Sequence, residues 1–329
     1  MSQTPRTATA FAPATVANVA VGFDVMGFSF AELGDLVTVE RVDDPDPEGA
    51  VVLDWVRGAD FEGDQDLPSS PKENTATRAL AAMVDDLDLA HGFRVRLEKG
   101  IPIGSGMGGS AASAVGAVVA GAALVDQSIP RAQLLRYALA GEAAASGSAD
   151  GGALAHGDNV APCLFGGLCC YLPNDPPEVV EIPVPSGLSC VLVRPRLRQD
   201  TRAQRAMLRD SVSVKDFVLQ SAHLAGFIAA CFRDDVDLLR RSMRDVVIGP
   251  QRASTIPGAW AACAAARTAG ALGSSIAGSG PSIFAFVADE SETKVVRDAI
   301  VGTLAGHDIV SDAWVGPISL EGAKVRERS

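Results

Sequence analysis

The stretch IPIGSGMGGSAAS, residues 101–113, decides how this chain is read. Glycines fall at 104, 106, 108 and 109, and the run passes directly into an Ala/Val-rich helical pattern over 110–125. Glycine reaches backbone conformations closed to other residues and lets a ligand approach the main chain. A helix start adds unpaired N–H groups and the positive end of the helix dipole, which favour anions and phosphate above all. The segment therefore reads as a phosphate cradle.

Several kinds of glycine loop compete for that reading. Gly104-x-Gly106-x-x-Gly109 matches the dinucleotide fingerprint, and the alternating FRVRLE of 93–98 supplies a strand before it. That unit needs a second strand after the helix, ending in an acidic residue for the ribose. Asp126 lies at about the right distance, but QSIPRAQLLRYALA over 127–140 reads as a turn and another helix. A Walker A loop fails too, because no Gly-Lys-Ser/Thr follows the glycines. A turn with no ligand is disfavoured, since consecutive glycines before a helix cost conformational entropy with no packing return.

Outward from the loop, strand-like alternation covers 9–40, and 43–66 is rich in Asp, Pro and Gly around a VVLDW strand. Helical periodicity marks 72–87, with Asn74 near its start, and a helix follows Pro130. Residues 147–158 (GSADGGALAHGD) read as loop, followed by a strand near 167–172. Proline density over 173–185 suggests a boundary, giving an N-terminal unit 1–172 and a C-terminal unit 173–329. Further strands are expected at 188–193, 277–287 and 313–320, with helices from 200 to 232. Strands and helices are mixed without strict alternation, which favours an α+β fold with two subdomains over a doubly wound sheet.

Bulk properties bound the function. A chain of 329 residues with 47% hydrophobic content and mean hydropathy +0.19 fills one large or two ordinary cores. No apolar run reaches the roughly 18 residues of a membrane span, and residues 1–15 lack the pattern of a signal peptide. The expectation is a cytoplasmic protein with no membrane partner. A net charge of −12 disfavours a nucleic-acid partner, because phosphate backbones want a basic face. The six cysteines form no CxxC and read as buried reduced thiols, not as a zinc site.

With its helix, the loop resembles the phosphate loop of the GHMP kinases, usually Pro-x-x-x-Gly-Leu-Gly-Ser-Ser-Ala-Ala. Here Met107 stands for Leu and Gly109 for the first Ser, while Ser110 is kept. The resemblance implies a two-subdomain GHMP fold. Its N-terminal half is ribosomal-protein-S5-like with a left-handed βαβ-type phosphate loop, and its C-terminal half is α/β sandwich-like. It also implies ATP held by Pro102, Gly104, Ser105, Gly106, Met107, Gly108, Gly109, Ser110 and Ala111, with Asn74 near the adenine. The segment FAPATVANVAVGFDVMG, residues 11–27, resembles the N-terminal signature of the homoserine kinase branch of that family.

That branch implies roles for further residues. Asn18 and Asp24 would contact the amino acid acceptor, L-homoserine, whose ammonium needs an acidic partner. Thr201 with Arg205, and Arg252 in GPQRASTIPG, resemble the groups that grip its carboxylate; Arg suits this because its planar fork matches a carboxylate in bidentate fashion. In Glu142…His156-Gly-Asp158-Asn159-Val-Ala-Pro, Glu142 would join Ser110 as the Mg²⁺ ligands, with His156, Asp158 and Asn159 lining the acceptor pocket. Asn159 sits where mevalonate kinases carry a catalytic Asp, which gives it a catalytic place beside Ser110 and Glu142. AGSGPS over 277–282 resembles the C-terminal glycine turn that packs near the nucleotide loop. Relatives are often homodimers. A GHMP kinase with a different acceptor, or a GHMP fold that binds without catalysis, are the alternatives.

Overall fold

The computed structural model describes residues 5–45, 49–58, 70–146, 156–197, 199, 201–252 and 255–329, without the side chains of 144–146 and 201–202. The first half runs β1 (Thr7–Ala17), β2 (Met26–Val42), β3 (Val51–Gly58), α1 (Thr75–Asp86), β4 (Gly92–Lys99), α2 (Gly109–Ala122), α3 (Arg131–Ser146), α4 (Gly157–Phe165), β5 (Leu168–Leu172) and β6 (Glu178–Ile182). The second runs β7 (Ser189–Pro195), α5 (Thr201–Ala206), α6 (Val214–Arg233), α7 (Val236–Ser242), α8 (Ile248–Arg252), α9 (Ala259–Thr268), β8 (Gly273–Ile276), β9 (Ile283–Val287), α10 (Thr293–Ala305), β10 (Ser311–Pro317) and β11 (Lys324–Arg328).

Seven strands make the first sheet, in the order β11-β1-β2-β4-β3, with β5 on the early part of β2 and β6 on β5. β3 and β4 pair in parallel through α1, and β4 delivers the chain straight into the glycine loop. Small residues let α2 lie close on this sheet. Ala8, Ala10, Ala12 and Ala14 alternate inward on β1, and a Cβ on Gly116 would come 2.5 Å from Val37. The second sheet, β10-β7-β9-β8, is antiparallel and buried on both faces. Val191, Val193, Ile283 and Ala285 face α9 and α10, while Phe284 and Phe286 meet Phe28 of the first sheet at 5.8 and 5.1 Å between ring centroids. One apolar core thus joins the two halves and holds their facing loops in fixed register.

Two expectations need revision. The sheets do not divide at 172/173: β6 extends the first sheet, and β11 returns from the far end of the chain to pair with β1. Residues 157–158, expected as loop, open helix α4, while 147–155 lie outside the described residues. Gly157 and Pro162 hid that helix, because glycine and proline are poor helix formers and Pro162 stands inside it. No helix among the described residues is long and apolar enough to cross a membrane.

Candidate active site

The glycine loop and the C-terminal glycine turn pack together along a cleft lined by residues 102–106 and 108–110, Phe23, Asp24, Lys99, His156, Asp158, Asn159, Arg205, Arg252 and Ser279. Gly108 adopts φ 69° as the residue before α2, and a Cβ there would sit 1.9 Å from the Thr15 hydroxyl. Gly106 is left-handed as well, with Gly280 O 2.5 Å from where its Cβ would be. The C-terminal turn is bonded onto the loop, since Ser282 N donates to Ser105 O at 3.3 Å. Gly109 differs: its φ is ordinary, and a Cβ would make only van der Waals contacts, 3.4 Å to Ile101 and 3.6 Å to Lys99 Nζ. No side chain caps α2, so its first N–H groups are open to the cleft beside the exposed Ser110. Met107 and Ala111 have fully buried side chains and belong to the loop through their backbone.

Beneath the loop lies a charged pair that the loop pattern does not reveal. Lys99 Nζ donates to Asp35 Oδ2, to Gly109 O at 2.7 Å and to Ser113 Oγ at 2.8 Å. Asp35 Oδ1 accepts from Gly100 N at 3.1 Å and Ile101 N at 3.0 Å. Burial pushes the Asp35 carboxyl up, and the Lys99 charge opposes that shift. The pair ties β2, the loop entry and the first turn of α2 into one unit. Its signal in the sequence was a charge at an inward position: Phe93, Val95, Leu97 and Lys99 share the buried face of β4.

The acceptor side is built on the turn 18–25 between β1 and β2. Asn18, Val19, Ala20 and Asp24 all adopt positive φ, at 71°, 42°, 62° and 60°. Asn18 holds the turn from both sides, accepting from Asp24 N at 3.1 Å and donating to Gly278 O at 2.9 Å. Asp24 and Arg205 form a bidentate pair at 3.2 and 2.5 Å. Arg252 is 5% exposed and donates to Gly278 O at 2.7 Å; among the described residues no carboxylate pairs with it. Burial lowers its proton affinity. Asp245 accepts from the N–H groups of Val247, Ile248 and Gly249 and so fixes the short helix that carries Arg252.

Asp158 and Asn159 occupy the first turn of α4, and both reach the cleft. Burial, then the nearby Asp24 charge, raise the Asp158 pKa to about 7. Asn159 accepts from the Thr15 hydroxyl at 2.8 Å. His156 Nδ1 lies 3.0 Å from Glu142 Oε2, and that contact raises the His156 pKa to about 9. Glu142 is fully buried, and its Oε1 has no hydrogen-bond partner among the described residues. Among the described residues no group of three or more His, Cys, Asp or Glu side chains is placed to hold a metal.

Three expected residues do not join the cleft lining in the way the sequence suggested: Glu142 is fully buried behind His156 and does not itself line the cleft. Asn74 is buried, and its side-chain oxygen caps α1 by accepting from Ala76 N and Thr77 N at 3.0 and 3.4 Å. Thr201 opens α5, but its side chain is outside the described residues.

The profile of the GHMP kinases N-terminal domain matches residues 74–167, and that of the GHMP kinases C-terminal domain matches 227–304. A homoserine kinase of Xylella fastidiosa (strain M12) is 43% identical over 323 residues, covering 98% of this chain and 95% of the relative. The chain belongs to the homoserine kinase branch of the GHMP kinases. The crystal structure of homoserine kinase from Cytophaga hutchinsonii superposes with a TM-score of 0.90 at 35% identity, covering 99% of both chains. That of L. major mevalonate kinase in complex with R-mevalonate, at 16% identity and a TM-score of 0.66 over 96% and 98% of the two chains, shares the fold. The α+β two-subdomain architecture and the kinase assignment therefore hold for this chain.

Proposed function

We propose that this enzyme transfers the γ-phosphoryl group of ATP to the side-chain hydroxyl of L-homoserine, giving O-phospho-L-homoserine, a step toward threonine. The observation that carries the acceptor is the charge pattern opposite the glycine loop. Asp24 and Arg205 offer one charge of each sign, and buried Arg252 adds a cation that no carboxylate of the described residues neutralises. A free amino acid complements that pattern, with its ammonium on Asp24 and its carboxylate between the two arginines. Asn18, His156 and Asp158 complete the pocket wall, and Thr201 is the further carboxylate contact expected from the branch.

On the donor side, the loop N–H groups and the first turn of α2 cradle the triphosphate. Gly109 O points into the helix, where Lys99 Nζ and Ser113 Oγ donate to it, so the start of α2 presents N–H donors to the cleft. The residues present fit Mg²⁺: Glu142 Oε1 is a buried carboxylate oxygen without a hydrogen-bond partner among the described residues, and Ser110 offers a hydroxyl at the cleft. Bound there with phosphate oxygens, the ion would neutralise charge that builds up during transfer. His156 orients the Glu142 carboxylate through its other oxygen. Asn159 supplies an amide and not a base, so catalysis rests on positioning and charge, as a loose phosphoryl-transfer state allows.

The six free thiols suit the reducing cytoplasm, where we place the protein. We propose a homodimer from the family resemblance, testable by light scattering. The acceptor is tested by following ATP consumption with homoserine, mevalonate, galactose or no acceptor. Homoserine-dependent turnover supports the reading, and turnover only with another acceptor would replace it.

A further inference from the structure

Phe23 sits in the 18–25 turn, half-buried, and lines the cleft beside Asp24, Arg205 and Arg252. Its ring touches two cations at once: the Arg205 guanidinium carbon lies 5.7 Å from the ring centroid, and that of Arg252 lies 5.4 Å away. The face of an aromatic ring is electron-rich and attracts a cation within about 6 Å, more so where water is excluded. We propose that Phe23 is a positioning residue for the carboxylate clamp, a wedge against which both arginines rest so that they stay apart and face one carboxylate. This rests on the homoserine reading above.

The geometry gives the wedge a task that Asp24 cannot perform. Without ligand, Asp24 holds Arg205. When an amino acid's ammonium takes Asp24, Arg205 loses that partner at the moment its direction matters most. The ring of the preceding residue is then the contact that remains. Arg252 has the same need throughout, since among the described residues it donates to the Gly278 carbonyl and pairs with no acid. Two like charges in one low-dielectric cleft repel, and a ring shared between them offsets that repulsion without neutralising either cation.

The turn is built to hold the ring still. Asn18 bonds to Asp24 N and Gly278 O on either side of Phe23. Gln220 of α6 donates to Val21 O at 3.0 Å and accepts from Val246 N at 3.0 Å, linking the turn to the segment just before α8. A Cβ on Gly22 would collide with Met26, so the backbone before the ring packs without slack. Four left-handed non-glycine residues in one short turn are strain maintained by its surroundings, a pattern typical of sites that fix a side chain.

The test separates the ring's electrostatics from its bulk. Phe23 is replaced in the full chain by Leu, by Tyr, and, through nonsense suppression, by 4-fluoro- and 3,4,5-trifluorophenylalanine. Fluorination drains the ring face at nearly constant shape, so the series reports on the wedge even where the Leu variant folds poorly. The homoserine KM is expected to climb stepwise along the fluorinated series to about 10-fold for Phe23→Leu. Tyr should restore it, while kcat, the ATP KM and Tm stay near wild type. A homoserine KM that is flat across the fluorinated series overturns the inference and leaves the homoserine reading standing. A wild-type chain that does not turn over homoserine overturns both.

Discussion

Asp24 and Arg205, 181 residues apart in the chain, meet in the cleft as a two-bond ion pair, Nη1–Oδ1 at 3.2 Å and Nη2–Oδ2 at 2.5 Å. The protein thus holds within itself the two charges that an amino acid carries. A zwitterion can exchange for that contact on both sides, whereas a hydroxy acid or an amino alcohol would satisfy one partner and strand the other. Replacing Arg205 by Ala should raise the homoserine KM by the equivalent of about 2–5 kcal/mol, with the ATP KM little changed. Asp24→Asn acts in the same direction. Because each single change strands a partner, the double variant should lose less than the sum of the two. Steady-state kinetics on the four proteins checks this, and strictly additive losses would show that the pair does not act as a unit.

The four loop glycines are not equivalent, and substitutions should separate them. Gly108→Ala meets the Thr15 hydroxyl at 1.9 Å and must hold φ 69°, while Gly106→Ala meets two backbone carbonyls. Both should abolish nucleotide binding by titration calorimetry. The Cβ of Gly109→Ser meets nothing closer than 3.4 Å, and its side chain restores the hydroxyl common in the family. Its kcat should stay within about threefold of wild type and its Tm within a few degrees, as for a substitution without strain. A collapse of activity in Gly109→Ser would mean that the loop shifts when nucleotide binds.

Most of this site was legible in the sequence because its parts are local. A glycine loop running into a helix, an Asp after Gly-Phe, and Asp-Asn ahead of Val-Ala-Pro each announce a backbone shape or a charge within a few residues. What escaped depends on distant packing. Lys99 and Asp35 read as ordinary strand residues until β2 and β4 pair and bury them together. Asn74 carried a signature that fits two roles, and its cap bonds to Ala76 and Thr77 answer to the helix. β11 could not be placed in the first sheet from sequence, because its partner β1 lies at the opposite end of the chain. Phe23 looked apolar and generic; its meaning comes from arginines on α5 and α8.

The buried pair under the loop should matter to stability before it matters to rate. Lys99→Met leaves Asp35 as an uncompensated buried acid, at a cost of about 3–5 kcal/mol. Asp35→Asn combined with Lys99→Met removes both charges and should recover part of that loss. Urea unfolding of the three proteins measures it. Equal stability of Lys99→Met and wild type would contradict the burial described here.

His156 sets a pH window. Its pKa is raised in the folded state to about 9, first by its bond to Glu142, from an unfolded value of 6.5. The stabilisation is therefore complete below pH 6.5 and is lost as pH rises through 9. In chelator-treated protein, unfolding free energy should decline by about 2–3 kcal/mol across that window. His156→Gln and Glu142→Gln should both flatten the decline. A decline that persists in either variant would assign it to another group.

The central claim is that one cleft joins a phosphate cradle to a pocket shaped for a free amino acid with a hydroxyl. Incubating the purified protein with ATP, Mg²⁺ and L-homoserine and following ³¹P resonances tests it most directly. The account predicts O-phospho-L-homoserine appearing in step with ADP, one for one, and no ADP without homoserine. ADP formed with no phosphorylated amino acid, or no reaction with homoserine at all, would contradict it.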